Sequence, residues 1–171
     1  MDKKQIKQIV LLALIVIGIY LFFTYGLRLI LGTDTPLAVV ESGSMEPTLN
    51  IGDILISKGV NVANLKVGDI IIYQMPNSNT LIVHRIVEII KSGNQTLIRT
   101  KGDNNPVEDP WVVYPSQVKG LVIFKIPYLG YVSLVFEKTP QLYFALVLLL
   151  IILIFIPQSK KTNSAFYICV K

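Results

Sequence analysis

The chain has 171 residues, 52% hydrophobic and 16% charged, with a mean hydropathy of +0.58. That is more apolar and less charged than a typical soluble domain, and it excludes a disordered chain, a collagen-like chain and a long charged coiled coil. A single cysteine, Cys169, excludes an intramolecular disulfide, and with a single histidine it excludes a Cys/His zinc site.

The net charge of +5 sits in the wrong places for a nucleic-acid binder. Gly32 to Pro140 holds 9 Lys and Arg against 10 Asp and Glu, so the middle of the chain has no basic face for phosphates. The excess comes from Lys3, Lys4 and Lys7, from Arg28, and from Lys160, Lys161 and Lys171, all flanking apolar runs. Nucleic acid is therefore not an expected partner; membrane lipid is.

Gln8 to Leu27 is 20 residues without a charge. A helix across the bilayer core needs about 20 apolar residues, whereas a cleaved signal peptide has an apolar stretch of roughly 7–15 and a small-residue cleavage site. The alanine of this run, Ala13, lies deep inside it, and Gly-Leu-Arg-Leu-Ile-Leu follows. A retained transmembrane helix over 8–31 is expected. Thr139 to Ser159 is also free of charge, with a continuously apolar core of 15 residues, Leu142 to Ile156. It reads as a second span over 139–158, with a buried or interfacial helix as the alternative for so short a core. Lysines precede the first run and follow the second, and positive flanks stay in the cytoplasm. Residues 1–7 and 159–171 are thus expected inside and 32–138 outside. Cys169 would then face a reducing compartment.

The segment between the spans reads as a small β-rich domain. Leu37–Glu41, Ile51–Lys58, Asp69–Met75, Leu81–Ile90, Thr96–Lys101 and Gln117–Lys125 are short runs rich in Val and Ile. Turn signals at Asn50–Asp53, Val67–Asp69, Pro76–Asn79 and Ser92–Asn94 separate them. No run here is long and polar-faced enough to predict a helix. Ile126–Phe136 is apolar and aromatic, and is expected against the membrane surface.

Three stretches carry groups capable of chemistry. His84 lies inside a predicted strand and, by period two, shares a face with Ile82, Ile86 and Ile90. A lone histidine on an apolar face is more often structural, yet its ring nitrogens need partners there. Glu41-Ser42-Gly43-Ser44-Met45-Glu46-Pro47-Thr48-Leu49 breaks the strand pattern abruptly. Such a bend can present a serine hydroxyl and a backbone N–H to one point, as a serine nucleophile requires. Spacing alone favours a plain surface turn. Lys101-Gly102-Asp103-Asn104-Asn105-Pro106-Val107-Glu108-Asp109 is too polar for a core. It fails the calcium-loop pattern, because Val107 stands at the third ligand position and no glycine follows. No metal or cofactor is expected.

Together, ESGSMEPTL after an apolar N-terminal helix, VHRIVE in a strand, and KGDNNPVED resemble type I signal peptidase, more narrowly its archaeal and endoplasmic-reticulum type. The resemblance covers roughly Leu37 to Gly130 and the N-terminal anchor. In the bacterial type a lysine stands where this chain has His84. What the resemblance implies is a mainly β catalytic domain held by transmembrane helices, a serine endopeptidase that cleaves signal peptides from secretory preproteins after small residues. Ser44 would be the nucleophile, His84 the general base and Asp109 the third member, with Asp103 a supporting or alternative acid. The Ser44 N–H and the Ser42 hydroxyl would form the oxyanion hole. The chain departs from the common pattern in carrying Glu108-Asp109 rather than Asp-Asp, with Pro106 before it.

A substrate peptide laid beside Leu37–Glu41 would point alternate side chains the same way, so Leu37, Val39, Val40 and Glu41 are expected to bind substrate. The alternative reading is an inactive, membrane-tethered β module for binding or scaffolding. A self-cleaving repressor-like protease would need a DNA-binding module and a catalytic lysine, neither of which fits. No residue pattern assigns an oligomeric state.

Overall fold

The computed structural model describes residues 3–92 and 95–138. The second apolar run, the tail and Cys169 lie outside the described residues. The chain divides into two units, 1–134 and 135–171.

The first apolar run forms one helical segment, Lys3–Leu31, of 29 residues. It comprises α1 (Lys3–Leu21), a π-helical turn (Phe22–Gly26) and α2 (Leu27–Leu31). At 1.5 Å per residue this is about 43 Å, long enough to cross a hydrocarbon core of about 30 Å. None of its most apolar window is buried against protein. The helix stops because Gly32 adopts a left-handed conformation, φ 62°, which a residue without Cβ reaches at no steric cost. The Leu31 carbonyl then accepts the Gly59 N–H at 2.7 Å, and the Thr33 hydroxyl donates to the Lys119 carbonyl at 2.5 Å.

Six antiparallel strands follow: β1 (Leu37–Val39), β2 (Ile54–Lys58), β3 (Ile70–Gln74), β4 (Leu81–Ser92), β5 (Gln95–Lys101) and β6 (Val118–Ile126). They form one sheet in the order β1-β2-β6-β3-β4-β5. All six predicted runs are present: β1, β2 and β3 are shorter than expected, β4 and β5 longer, and β6 is displaced by one residue. β2 starts three residues late because Asn50–Asp53 is a turn, with Gly52 at φ 84°. The buried Asp53 carboxylate holds that turn, accepting the Asn50 N–H at 3.0 Å and the Tyr128 N–H at 3.2 Å. Burial pushes its pKa up, but those two donors and the Lys125 ammonium 3.4 Å away hold it below the usual range. Lys125 also donates to the Thr48 carbonyl at 2.7 Å, tying β6 to the segment after Ser44.

Side chains pack in two clusters. Leu65, Ile71, Tyr73, Ile86, Ile98 and Val113 form one; Val40, Met45, Leu49 and Leu55 form the other. Each fully buried side chain of this kind contributes about 1.5–3 kcal/mol relative to exposure. The period-two expectation for β4 holds for Ile82, His84 and Ile86 but not for Ile90. The β4–β5 register shifts between Ile86 and Glu88, and Ile89 rather than Ile90 packs on the first cluster. Such a bulge moves the alternation by one residue. The apolar segment after β6 contains a short helix, α3 (Tyr131–Lys138), which the sequence reading did not anticipate. Tyr128, Leu129, Tyr131 and Val132 are exposed there, beside exposed Ile123 and Phe124.

The join between helix and sheet depends on Gly59. A Cβ on Gly59 would stand 2.0 Å from the Gly32 carbonyl oxygen, a contact the backbone cannot tolerate. Gly59→Ala is expected to destabilise the domain by about 1–3 kcal/mol. Thermal unfolding of the full chain in detergent measures this, and an unchanged midpoint would contradict the close packing described.

Candidate active site

Ser44 lies in a single 3-10 turn, Gly43–Met45, that follows extended Ser42 (φ −131°, ψ 158°). The Glu46 N–H closes the turn on the Gly43 carbonyl at 3.2 Å. Met45, 1% exposed, anchors it in the second core. From the other side Asn104 clamps it: its N–H donates to the Ser44 carbonyl at 2.8 Å and its Nδ2 to the Gly43 carbonyl at 3.0 Å. The serine is held by backbone on two sides while its hydroxyl stays accessible.

His84 stands opposite Ile71 in the β3–β4 ladder and is 6% exposed. Its Nε2 lies 3.1 Å from Ser44 Oγ and its Nδ1 2.7 Å from Asp109 Oδ2. Asp109, 8% exposed, is fixed by its own N–H, which donates to the Thr100 carbonyl at 2.9 Å. Burial pushes the Asp109 pKa up, but hydrogen bonds from His84, Thr100 and Tyr73 outweigh it and hold the carboxyl below the usual range. An ionised carboxylate only accepts, so Nδ1 carries the proton and Nε2 presents its lone pair to the Ser44 hydroxyl.

Asp103 goes elsewhere. Its oxygens accept Arg85 Nε at 2.8 Å and Nη2 at 2.7 Å, a bidentate pair. That pairing lowers the Asp103 pKa and raises that of Arg85. Arg85 Nη1 also donates to the Gly68 carbonyl at 2.8 Å. Neighbours in a strand point to opposite faces, so His84 and Arg85 each take one carboxylate. Glu108 pairs with Arg99 at 3.2 Å on the surface. Ser42 Oγ lies 3.4 Å from Ser44 Oγ.

A cleft of about 690 Å³ opens on Ser44 and His84. Leu37, Val39, Val40 and Glu41 line it, as does Ser42, with Thr80 and the first residues of β4, Leu81–Val83, also lining it and Met45 and Leu49 contributing apolar surface. β1 is one of the two edge strands, and Leu81–His84 pair only with β3, so both stretches have a free backbone edge among the described residues. A more open depression of about 700 Å³ lies by the foot of the helix, near Arg28 and Lys119, and contains none of these groups. Sequence reading missed Tyr73 and Thr100, which donate to Asp109, and Trp111, which donates to the Tyr73 hydroxyl. For Tyr73 and Thr100 the available signal was a polar tip on a strand face that is otherwise apolar; Trp111 lies outside the strands.

The chain matches the family model of signal peptidase, peptidase S26, over residues 3–92, more than half its length and inclusive of both Ser44 and His84. It belongs to the signal peptidase family. It is 30% identical over 155 residues to a signal peptidase complex catalytic subunit of Rattus norvegicus, covering 86% of this chain and 81% of the relative. To the corresponding subunit of Yarrowia lipolytica it is 31% identical over 148 residues, covering 80% and 83%. The chain is thus a serine peptidase of the signal peptidase type, and nothing in these comparisons favours an inactive scaffolding module.

Gly102 keeps the loop against this site. A Cβ there would stand 2.6 Å from the Ser44 carbonyl oxygen and 2.9 Å from His84 Nε2. Gly102→Ala is expected to lower kcat/KM by about 10²-fold, the scale of an ångström-sized misplacement of reacting groups. Wild-type turnover in this variant would contradict the geometry.

Proposed function

We propose that Ser44, His84 and Asp109 form a catalytic triad that cleaves N-terminal signal peptides from secretory preproteins at the membrane surface. The observation that carries the reading is the line Ser44 Oγ–His84 Nε2, 3.1 Å, and His84 Nδ1–Asp109 Oδ2, 2.7 Å. A serine hydroxyl is a weak nucleophile until a base takes its proton. His84 takes it as Oγ attacks the scissile carbonyl, and Asp109 stabilises the resulting imidazolium. The proton then passes to the leaving amine, and water repeats the sequence on the acyl-enzyme. The Ser44 N–H and the Ser42 hydroxyl are the donors for the developing oxyanion. Asp103 supports the base indirectly, through Arg85.

The substrate lies extended beside the free edge of β1. Alternate side chains then enter the cleft together, and small residues at the first and third positions before the cut suit its lining of Val39, Val40, Met45 and Leu49. The helix over 8–31 anchors the domain. Exposed Ile123, Phe124, Tyr128, Leu129, Tyr131 and Val132 rest on lipid. Charge placement supports residues 1–7 and 159–171 inside the cytoplasm, 32–138 outside and a second span over 139–158.

The test is cleavage of a model preprotein by the full chain reconstituted in liposomes, the new N-terminus being read by mass spectrometry. Ser44→Ala and His84→Ala are expected to abolish cleavage, and activity within about tenfold of wild type in either would overturn the triad. Asp109→Asn is expected to cost about 10⁴ in rate, since an amide favours the wrong tautomer. Glu108→Gln is expected to be close to neutral, because its exposed pairing with Arg99 is worth little. Asp103→Asn is expected to fall between them.

A further inference from the structure

Three hydrogen bonds converge on one oxygen of Asp109. His84 Nδ1 lies 2.7 Å from Oδ2, Thr100 Oγ1 2.6 Å and the Tyr73 hydroxyl 2.9 Å. Trp111 Nε1 lies 3.3 Å behind the Tyr73 oxygen. The donor count fixes the direction of each bond. An indole N–H only donates, so Tyr73 accepts from Trp111 and turns its own proton toward Asp109. Burial pushes the Tyr73 pKa far above its ordinary value, which keeps that proton in place. Thr100 has one proton and two neighbours, and Asp109 Oδ2 is nearer than the Tyr73 hydroxyl at 3.2 Å. Every donor therefore points inward to the carboxylate.

We propose that Tyr73 and Thr100, with Trp111 behind Tyr73, are positioning residues of the hydrolysis, fixing Asp109 Oδ2 on His84 Nδ1 and setting how strongly that carboxylate holds the protonated imidazole. The proposal rests on the triad reading. Tyr73 and Thr100 are 0% exposed, and none of the three residues lines the cleft, so none reaches substrate. Their action is electrostatic. Each donor draws negative charge on Oδ2 toward itself and away from the bond to His84. Removing one leaves a stronger partner for the imidazolium, and the acid limb of the rate profile then moves to higher pH. The other ionisable groups around the site are Arg85 on the His84 strand, Asp103 in the facing loop and Glu46, whose carboxylate lies against Gly43 of the serine turn. The first two neutralise each other, and none of the three bonds to Asp109 or to the His84 ring among the described residues.

The experiment is the pH profile of kcat and kcat/KM for the full chain in liposomes, with a signal-peptide-bearing preprotein as substrate. Tyr73→Phe and Thr100→Val are each expected to lower kcat about tenfold with KM unchanged and to move the acid limb of kcat/KM upward by about half to one unit. Thr100→Ser, which keeps the hydroxyl, restores both. Trp111→Phe moves the limb the same way by less, since it only weakens Tyr73 as a donor. Thermal midpoints measured across the same pH range separate a moved limb from acid unfolding of a destabilised variant. An unmoved limb in Tyr73→Phe and Thr100→Val, with Asp109→Asn still crippled, overturns the positioning role alone. Near-wild-type activity in Asp109→Asn overturns the triad reading beneath it.

Discussion

The hydrogen bond between Asp109 and His84 is the constraint on which the site depends. A buried carboxylate is costly unless donors compensate it. Here the donors come from three consecutive strands: Tyr73 from β3, His84 from β4 and Thr100 from β5. The register that places Ile71 opposite His84 and Ile86 opposite Thr100 is also what brings these groups to one point. The core and the site are therefore one arrangement. Ile71, Tyr73, Ile86, Ile98 and Val113 supply the burial, and the polar tips among them supply the donors.

The loop from Gly102 to Asp109 connects this buried end to the exposed one. At its start Gly102 lets backbone approach His84 and Ser44, and Asn104 grips the serine turn. Asp103 binds Arg85 on the opposite face of β4, and Asp109 closes on His84. One short polar segment thus fixes Ser44, His84 and Asp109 relative to each other. The two carboxylates divide because two adjacent strand residues point to opposite faces, and this keeps a second negative charge off the imidazole.

Much of this was legible in the sequence. The charge-free run, the six Val- and Ile-rich strands and the three polar stretches were visible because each depends on local composition and short periodicity. Ser44, His84 and Asp109 were singled out by the family resemblance, and their side chains lie in hydrogen-bond sequence, Ser44 to His84 to Asp109. Which of Asp103 and Asp109 meets His84 was not legible, since the answer turns on strand alternation at Arg85. Ile90 was misplaced because a β-bulge leaves no reliable local mark. In the sequence Tyr73 and Thr100 look like ordinary strand residues. An aromatic and a β-branched residue suit a strand whatever their hydroxyls do, and only tertiary pairing shows that both hydroxyls meet one oxygen. The late start of β2 likewise depends on Tyr128 and Lys125, far along the chain, closing on Asp53.

The chain has one histidine, so its imidazole can be observed without overlap. The most direct measurement is nuclear magnetic resonance of the full chain in detergent micelles, isotope-labelled at histidine, at mildly alkaline pH. The account predicts a single imidazole with its proton on Nδ1, protected by a strong hydrogen bond, and a bare Nε2; Asp109→Asn should shift the proton to Nε2. A wild-type imidazole protonated on Nε2 would contradict it, because such a ring cannot accept the proton of Ser44.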